Sequence, residues 1–139
     1  MRRRALPAAI LVAALLAGGC GATSSSEDDA PAFRGEQRLA AQAVEDLQDA
    51  AIEGDEARIC RELLAEALAD RLGGTGEGCE QTVEDALEDT DTSDLTVRAV
   101  RVSGTTATAS VEAERGDADR VTTVGLAKEG GRWRVSRLA

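Results

Sequence analysis

Three thiols, Cys20, Cys60 and Cys79, are the side chains best suited to covalent chemistry in this sequence, because it contains no His and no Tyr. Without imidazole there is no His general base and no His-ligated metal. Cys60 and Cys79 do not have the Cys-x-x-Cys spacing of a redox-active pair. In an exported chain an even pair of this kind is expected to oxidise to a structural disulfide, with two buried free thiols as the alternative. Such a bond closes a loop that contributes roughly 3 kcal/mol in the chain-entropy picture.

The remaining polar groups give weaker signals. Arg98, Arg101, Thr106, Thr108, Ser110, Glu112 and Glu114 lie on strand-like segments and line a cleft only if their face points inward; a solvated sheet face is the simpler expectation. The acidic run Glu84-Asp85, Glu88-Asp89-Thr90-Asp91 and Asp94 offers oxygen ligands of the kind calcium takes, but it lacks the EF-hand loop and its central glycine, so it reads as a solvated helix end. Arg115-Gly116-Asp117 is an integrin-type tripeptide on a loop, where chance accounts for it. Trp133, the single Trp, is expected in the core. No residue is assigned a catalytic, cofactor-binding or metal-binding role.

Export is what the N-terminus signals. Arg2, Arg3 and Arg4 form a positive start, Leu6 to Ala17 an apolar stretch, and Ala17-Gly18-Gly19 a small-residue cleavage region. The apolar stretch is shorter than the ~20 residues a spanning helix needs. Leu15-Leu16-Ala17-Gly18-Gly19-Cys20 resembles the bacterial lipobox. That resemblance implies cleavage after Gly19, a diacylglycerol on Cys20, and a mature protein anchored by lipid on the outer face of the cell membrane; the alternatives are ordinary secretion and a twin-arginine signal. With Arg2, Arg3 and Arg4 removed, 13 basic residues face 26 acidic ones, so the mature net charge is −13. Nucleic acid is therefore not an expected partner, and anionic headgroups are repelled. The expected partners are the membrane, through the lipid on Cys20, and an unknown protein or small apolar ligand.

The segment from Cys20 to Gly35 is Ser- and Asp-rich, has almost nothing to bury, and reads as a disordered tether with a span of ~20 Å. From residue 36 to 139 the pattern is that of one domain. Leu39, Ala43, Val44, Leu47, Ala50 and Ala51 recur at helical spacing, which predicts a helix from Glu36 to Glu53 ended by Gly54. Asp55 is placed to cap a second helix carrying Ile59, Cys60, Leu63, Leu64, Ala67, Leu68 and Leu72, closed by Gly73-Gly74. A short third helix follows around Cys79, Val83, Ala86 and Leu87.

From Leu95 the period falls to two. The alternation changes phase near Ala99, which predicts a bulge there, and three further strands follow at 105–114, 120–128 and 132–138. Helices followed by an antiparallel meander make an α+β domain of about four strands.

This order, with a Cys in the second helix, another before the third, and the ending Leu126-Ala127-Lys128-Glu129-Gly130-Gly131-Arg132-Trp133-Arg134-Val135, resembles the nuclear transport factor 2-like (cystatin-like) lipoproteins of actinobacteria. The resemblance implies N-terminal helices packed against a curved sheet that wraps into a cone. It also implies a choice of roles, from isomerases and dehydratases to binding and dimerisation modules. No catalytic position of that family matches a residue here. The expected function is accordingly a non-catalytic ligand- or protein-binding module of the cell envelope. The alternative is a small isomerase- or hydrolase-like enzyme with a carboxylate in its pocket.

Overall fold

The computed structural model describes residues 32–74, 76–89, 95–115 and 118–138. The signal segment, Cys20, most of the tether, the Asp91-to-Asp94 run and the Gly116-Asp117 loop lie outside them.

Helix α1 spans Glu36–Glu53 and ends at Gly54, whose φ of 68° lets its N–H reach back to Ala50 and Ala51. Its buried stripe is Ala40, Ala41, Ala43, Val44 and Ala50. Leu39, expected on that stripe, is half exposed. Small residues on the inward face allow α1 to lie close against the sheet. The packing begins ahead of α1, since Phe33, in the segment expected to be tether, is partly buried against the core.

The second helix is not continuous. Asp55 caps it as expected, its carboxylate accepting from Arg58 N at 3.0 Å. The chain then runs through α2 (Glu56–Arg58), a π-helical turn (Ile59–Leu63), two extended residues and α3 (Glu66–Arg71). Leu64 and Ala65 take ψ of 143° and 145°. The physical reason lies in three consecutive buried residues, Leu63, Leu64 and Ala65, which would sweep about 200° of a regular helix and cannot share one face. The break lets both Leu63 and Leu64 be buried in the core. It also lets Ala65 N donate to Val135 O at 2.8 Å, while Leu64 bridges to Val135 in parallel. Helix α3 has no cap of its own, and Glu129 supplies one from the sheet: its carboxylate accepts from Glu66 N at 3.2 and 3.3 Å. Helix α4 spans Glu77–Glu88.

Strands β1 (Leu95–Ser103), β2 (Thr106–Arg115), β3 (Ala118–Glu129) and β4 (Arg132–Arg137) form one antiparallel sheet in sequence order. The pairing shifts between Val97 and Ala99, where the bulge was expected, and so both Val97 and Val100 are buried. Apolar rows cross the inner face through Val100, Ala109 and Val124, and through Val102, Ala107, Leu126 and Val135. The curved sheet and the helices enclose a single core, and all its members lie within residues 33–135.

Each outer strand of the sheet meets a helical segment at one or two positions. At β4 the contact is Leu64–Ala65. At β1 it is α1, whose Gln37 donates to Val100 O at 3.0 Å.

Candidate functional site

Cys60, in the π-helical turn, and Cys79, in α4, are joined by a disulfide and are 1% and 0% exposed. In a core made mostly of Ala and Val, they rank with Leu126, Val111 and Val135 among the largest fully buried side chains. The bond therefore serves as packing as well as crosslink. The turn between the two half-cystines closes by backbone contact: a Cβ on Gly78 would lie 2.6 Å from Gly73 O, and one on Gly73 would lie 2.8 Å from Gly78 C. Glycine is required at both positions for the chain to double back.

This staple ties α4 to the π-helical turn, and a cavity of about 360 Å³ lies among α1, α4 and the strands. Val44, Leu47 and Ala51 of α1 form one wall, and Val83, Ala86 and Leu87 of α4 form the opposite one. Ile59, Leu64 and Leu72 also line it, and Val124 of β3 contributes from the sheet. Leu95 and Leu138, 38% and 54% exposed, also line it, and with the exposed Thr82 and Ala86 of α4 they show that it is open to solvent.

Among the described residues two polar side chains, Gln48 and Thr82, reach this cavity, and both are already engaged. The Gln48 amide meets the backbone of Leu95, with Nε2 donating to Leu95 O at 3.2 Å and Oε1 accepting from Leu95 N at 2.8 Å. The Thr82 hydroxyl sits 2.9 Å from Leu72 O and 2.8 Å from Gly78 O. Among the described residues no carboxylate or arginine lines the cavity. Such a space can hold an apolar group by shape and desolvation. Its described lining carries no titratable side chain.

The strand residues weighed as a polar cleft face the other way. Arg98, Arg101, Thr106 and Thr108 are exposed, Ser110 and Glu112 are half buried, and Arg98 pairs with Glu112 at 2.9 Å. The side chain of Glu114 lies outside the described residues. Among the described residues no polar or charged side chain is buried, and no group of three Asp, Glu or Cys converges as a metal site. No described helix is long and apolar enough to cross a membrane.

Trp133 is 7% exposed, and its Nε1 donates to Glu36 Oε2 at 2.7 Å. Lys128 Nζ lies 2.9 Å from Glu36 Oε1 and 5.7 Å from the centre of the Trp133 ring. The Lys128 hydrogen bond first, and the Trp133 one second, hold the Glu36 carboxyl below the usual glutamate range. Sequence reasoning placed Trp133 in the core but did not find Glu36, because nothing in the pattern pairs the start of the first helix with the last hairpin. It also missed Gln48 and Thr82, which sit at ordinary helical positions. The small residues Ala51 and Ala86 were the one available sign of a space.

In comparisons with known proteins, no family model matches the chain. No curated protein matches it either. Among solved structures, it is similar to a de novo designed NTF2 fold protein, NT-9, with a TM-score of 0.52 and 13% sequence identity, covering 77% of this chain and 88% of that one. Together with the four-stranded antiparallel sheet and its helices, this gives the domain the NTF2-like α+β fold.

Proposed function

We propose, from the premise of an NTF2-like domain with an apolar cavity, that this chain is a lipid-anchored, non-catalytic binding module on the outer face of a bacterial cell membrane, and that the cavity takes a small apolar ligand. The observation that carries the ligand half is the cavity lining, in which the two polar side chains are spent on the protein's own backbone. An isomerase or hydrolase using a carboxylate would place that group in the cavity with a raised pKa; the wall residues here are hydrocarbon.

The anchor half rests on the lipobox-like run ending at Cys20 and on charge. At −13, the mature chain has no electrostatic attraction to a membrane, whereas the two or three acyl chains of a lipoprotein anchor stably.

Two measurements test the two halves separately. The intact mass of membrane-extracted protein is expected to equal the chain from Cys20 plus its acyl groups, and an unmodified N-terminus elsewhere would refute the anchor. Fluorescence of the neutral dye N-phenyl-1-naphthylamine is expected to rise on adding the protein. Ala51→Leu, which fills the cavity from α1, is expected to abolish that rise; an unchanged rise would refute the site.

A further inference from the structure

The disulfide and the cavity share one face of α4. Cys79, Val83 and Leu87 recur at four-residue steps, so the stripe that carries the half-cystine also carries the cavity wall. On the facing side, Cys60 follows Ile59 in the π-helical turn, and Ile59 and Leu64 both line the cavity. The main packing partners of α4 are α2 and this turn. The Arg61–Glu80 ion pair at 2.9 Å and Thr82 Oγ1, 2.9 Å from Leu72 O, add to the hold. The ion pair is partly exposed, a class that contributes little.

Both half-cystines are enclosed in this joint, 1% and 0% exposed. Thiol–disulfide exchange requires a thiolate to reach a sulfur, so with α4 in place the bond is out of reach. Swinging the Val83-to-Leu87 end of α4 outward about Cys79 uncovers the bond and, in the same motion, takes those side chains out of the cavity wall. A ligand held there by desolvation loses its contacts with that wall in the open form, and so opposes the opening. A second recess reaches Cys60 from the β3–β4 turn, beside Glu66, Glu129 and Arg134. A reductant entering by that recess acts without moving α4.

Resting on the ligand site proposed above, we infer that the Cys60–Cys79 bond and the cavity form one redox-linked unit, in which a bound ligand protects the bond from reduction and reduction of the bond weakens ligand binding. The reductant is a dithiol. One of its thiolates attacks a half-cystine sulfur, forming a mixed disulfide and releasing the other cysteine as a thiolate; its second thiol then displaces the remaining cysteine. The dithiol leaves as a cyclic disulfide, having passed two electrons and two protons to Cys60 and Cys79. Linkage makes the coupling reciprocal: the factor by which the bond favours the ligand is the factor by which the ligand favours the bond.

The test uses the chain from Gly21 onward, which carries the whole core but not the Cys20 thiol, so every thiol that appears comes from this bond. Reduction by dithiothreitol is followed by alkylation and mass, with and without dodecanol at about ten times the dissociation constant that calorimetry gives. Dodecanol is expected to slow reduction about tenfold, the factor 1 + [L]/Kd, and to leave the rate unchanged in Ala51→Leu, which fills the cavity. Without ligand, reduction is expected to report an open fraction at least about tenfold above that from amide exchange at Val111, buried in β2, because α4 opens while the sheet stays folded. The reduced chain is expected to bind dodecanol at least about fivefold more weakly than the oxidised one. Dodecanol that binds without slowing reduction, or binds both redox states equally, would overturn the coupling and leave the ligand site standing. Reduction no faster than Val111 exchange would overturn it as global unfolding, and protection that persists in Ala51→Leu would overturn it as an effect outside the cavity. No dodecanol binding at all would refute the ligand site and the coupling with it.

Discussion

The indole Nε1 of Trp133 donates to Glu36 Oε2 at 2.7 Å, joining the first turn of α1 to the last strand across 97 positions. Lys128 completes the cluster from the neighbouring strand. Because these partners hold the Glu36 carboxyl low, its contribution to stability is fully present above the unfolded glutamate pKa of ~4.3 and is lost as the pH falls through the lower folded value. Other carboxylates titrate in the same range, so the informative quantity is the difference between wild type and Glu36→Gln. The wild-type thermal midpoint is expected to fall more steeply below about pH 4.3. The emission of Trp133, the only Trp, is expected to change over the same window in wild type alone. Superimposable curves for the two proteins would remove Glu36 from the account.

The Cys60–Cys79 bond is expected to matter more than any single ion pair. The four ion pairs among the described residues involve partly exposed side chains, a class worth at most about 1 kcal/mol each. Replacing both cysteines with Ala loses loop closure of roughly 3 kcal/mol as well as buried volume. A drop in thermal midpoint of roughly 12–24 °C is expected for a domain of this size. Scanning calorimetry with and without reductant checks it, and a shift under about 4 °C would show that the staple is dispensable.

The Gly73–Gly78 contact separates steric from conformational demands. Gly78→Ala places a methyl against the Gly73 carbonyl at 2.6 Å and is expected to cost about 1–3 kcal/mol. Gly76→Ala, two residues away with open space around it, is expected to stay within about 0.5 kcal/mol of wild type. Urea denaturation of the two variants checks the contrast, and equal midpoints would contradict the close approach.

Gln48 holds the first residue of β1 by both backbone groups. Gln48→Ala is expected to speed amide exchange at Leu95 while leaving Val100, farther along β1 and paired with Ala109, near its wild-type rate. Equal rates at Leu95 in the two proteins would show that the cavity mouth is fixed by other contacts.

The parts of the fold legible in the sequence are those governed by local period and by single punctuating residues. Gly54 ended α1 where the glycine stood, Asp55 capped α2, and the phase change near Ala99 became a bulge. Cys60 and Cys79 paired as an even count suggested. The break at Leu64–Ala65 was not legible in that way, because its extended conformation is stabilised by Val135 O, 70 positions later. Glu36 and Gln48 are of the same kind: each looks like a solvated helix residue until the strand it contacts is in place. A cavity is a still harder case, since it is defined by volume that no side chain fills, and Ala51 and Ala86 alone do not announce it.

The most direct test of the apolar ligand site is a methyl-resonance NMR titration of the chain from Gly21 onward with dodecanol. The account predicts saturable shifts at Val44, Ile59, Leu64 and Val83, which line the cavity, and little change at Val121, exposed on β3. Shifts at Val121 with none at the lining methyls, or no saturable shift at all, would contradict it.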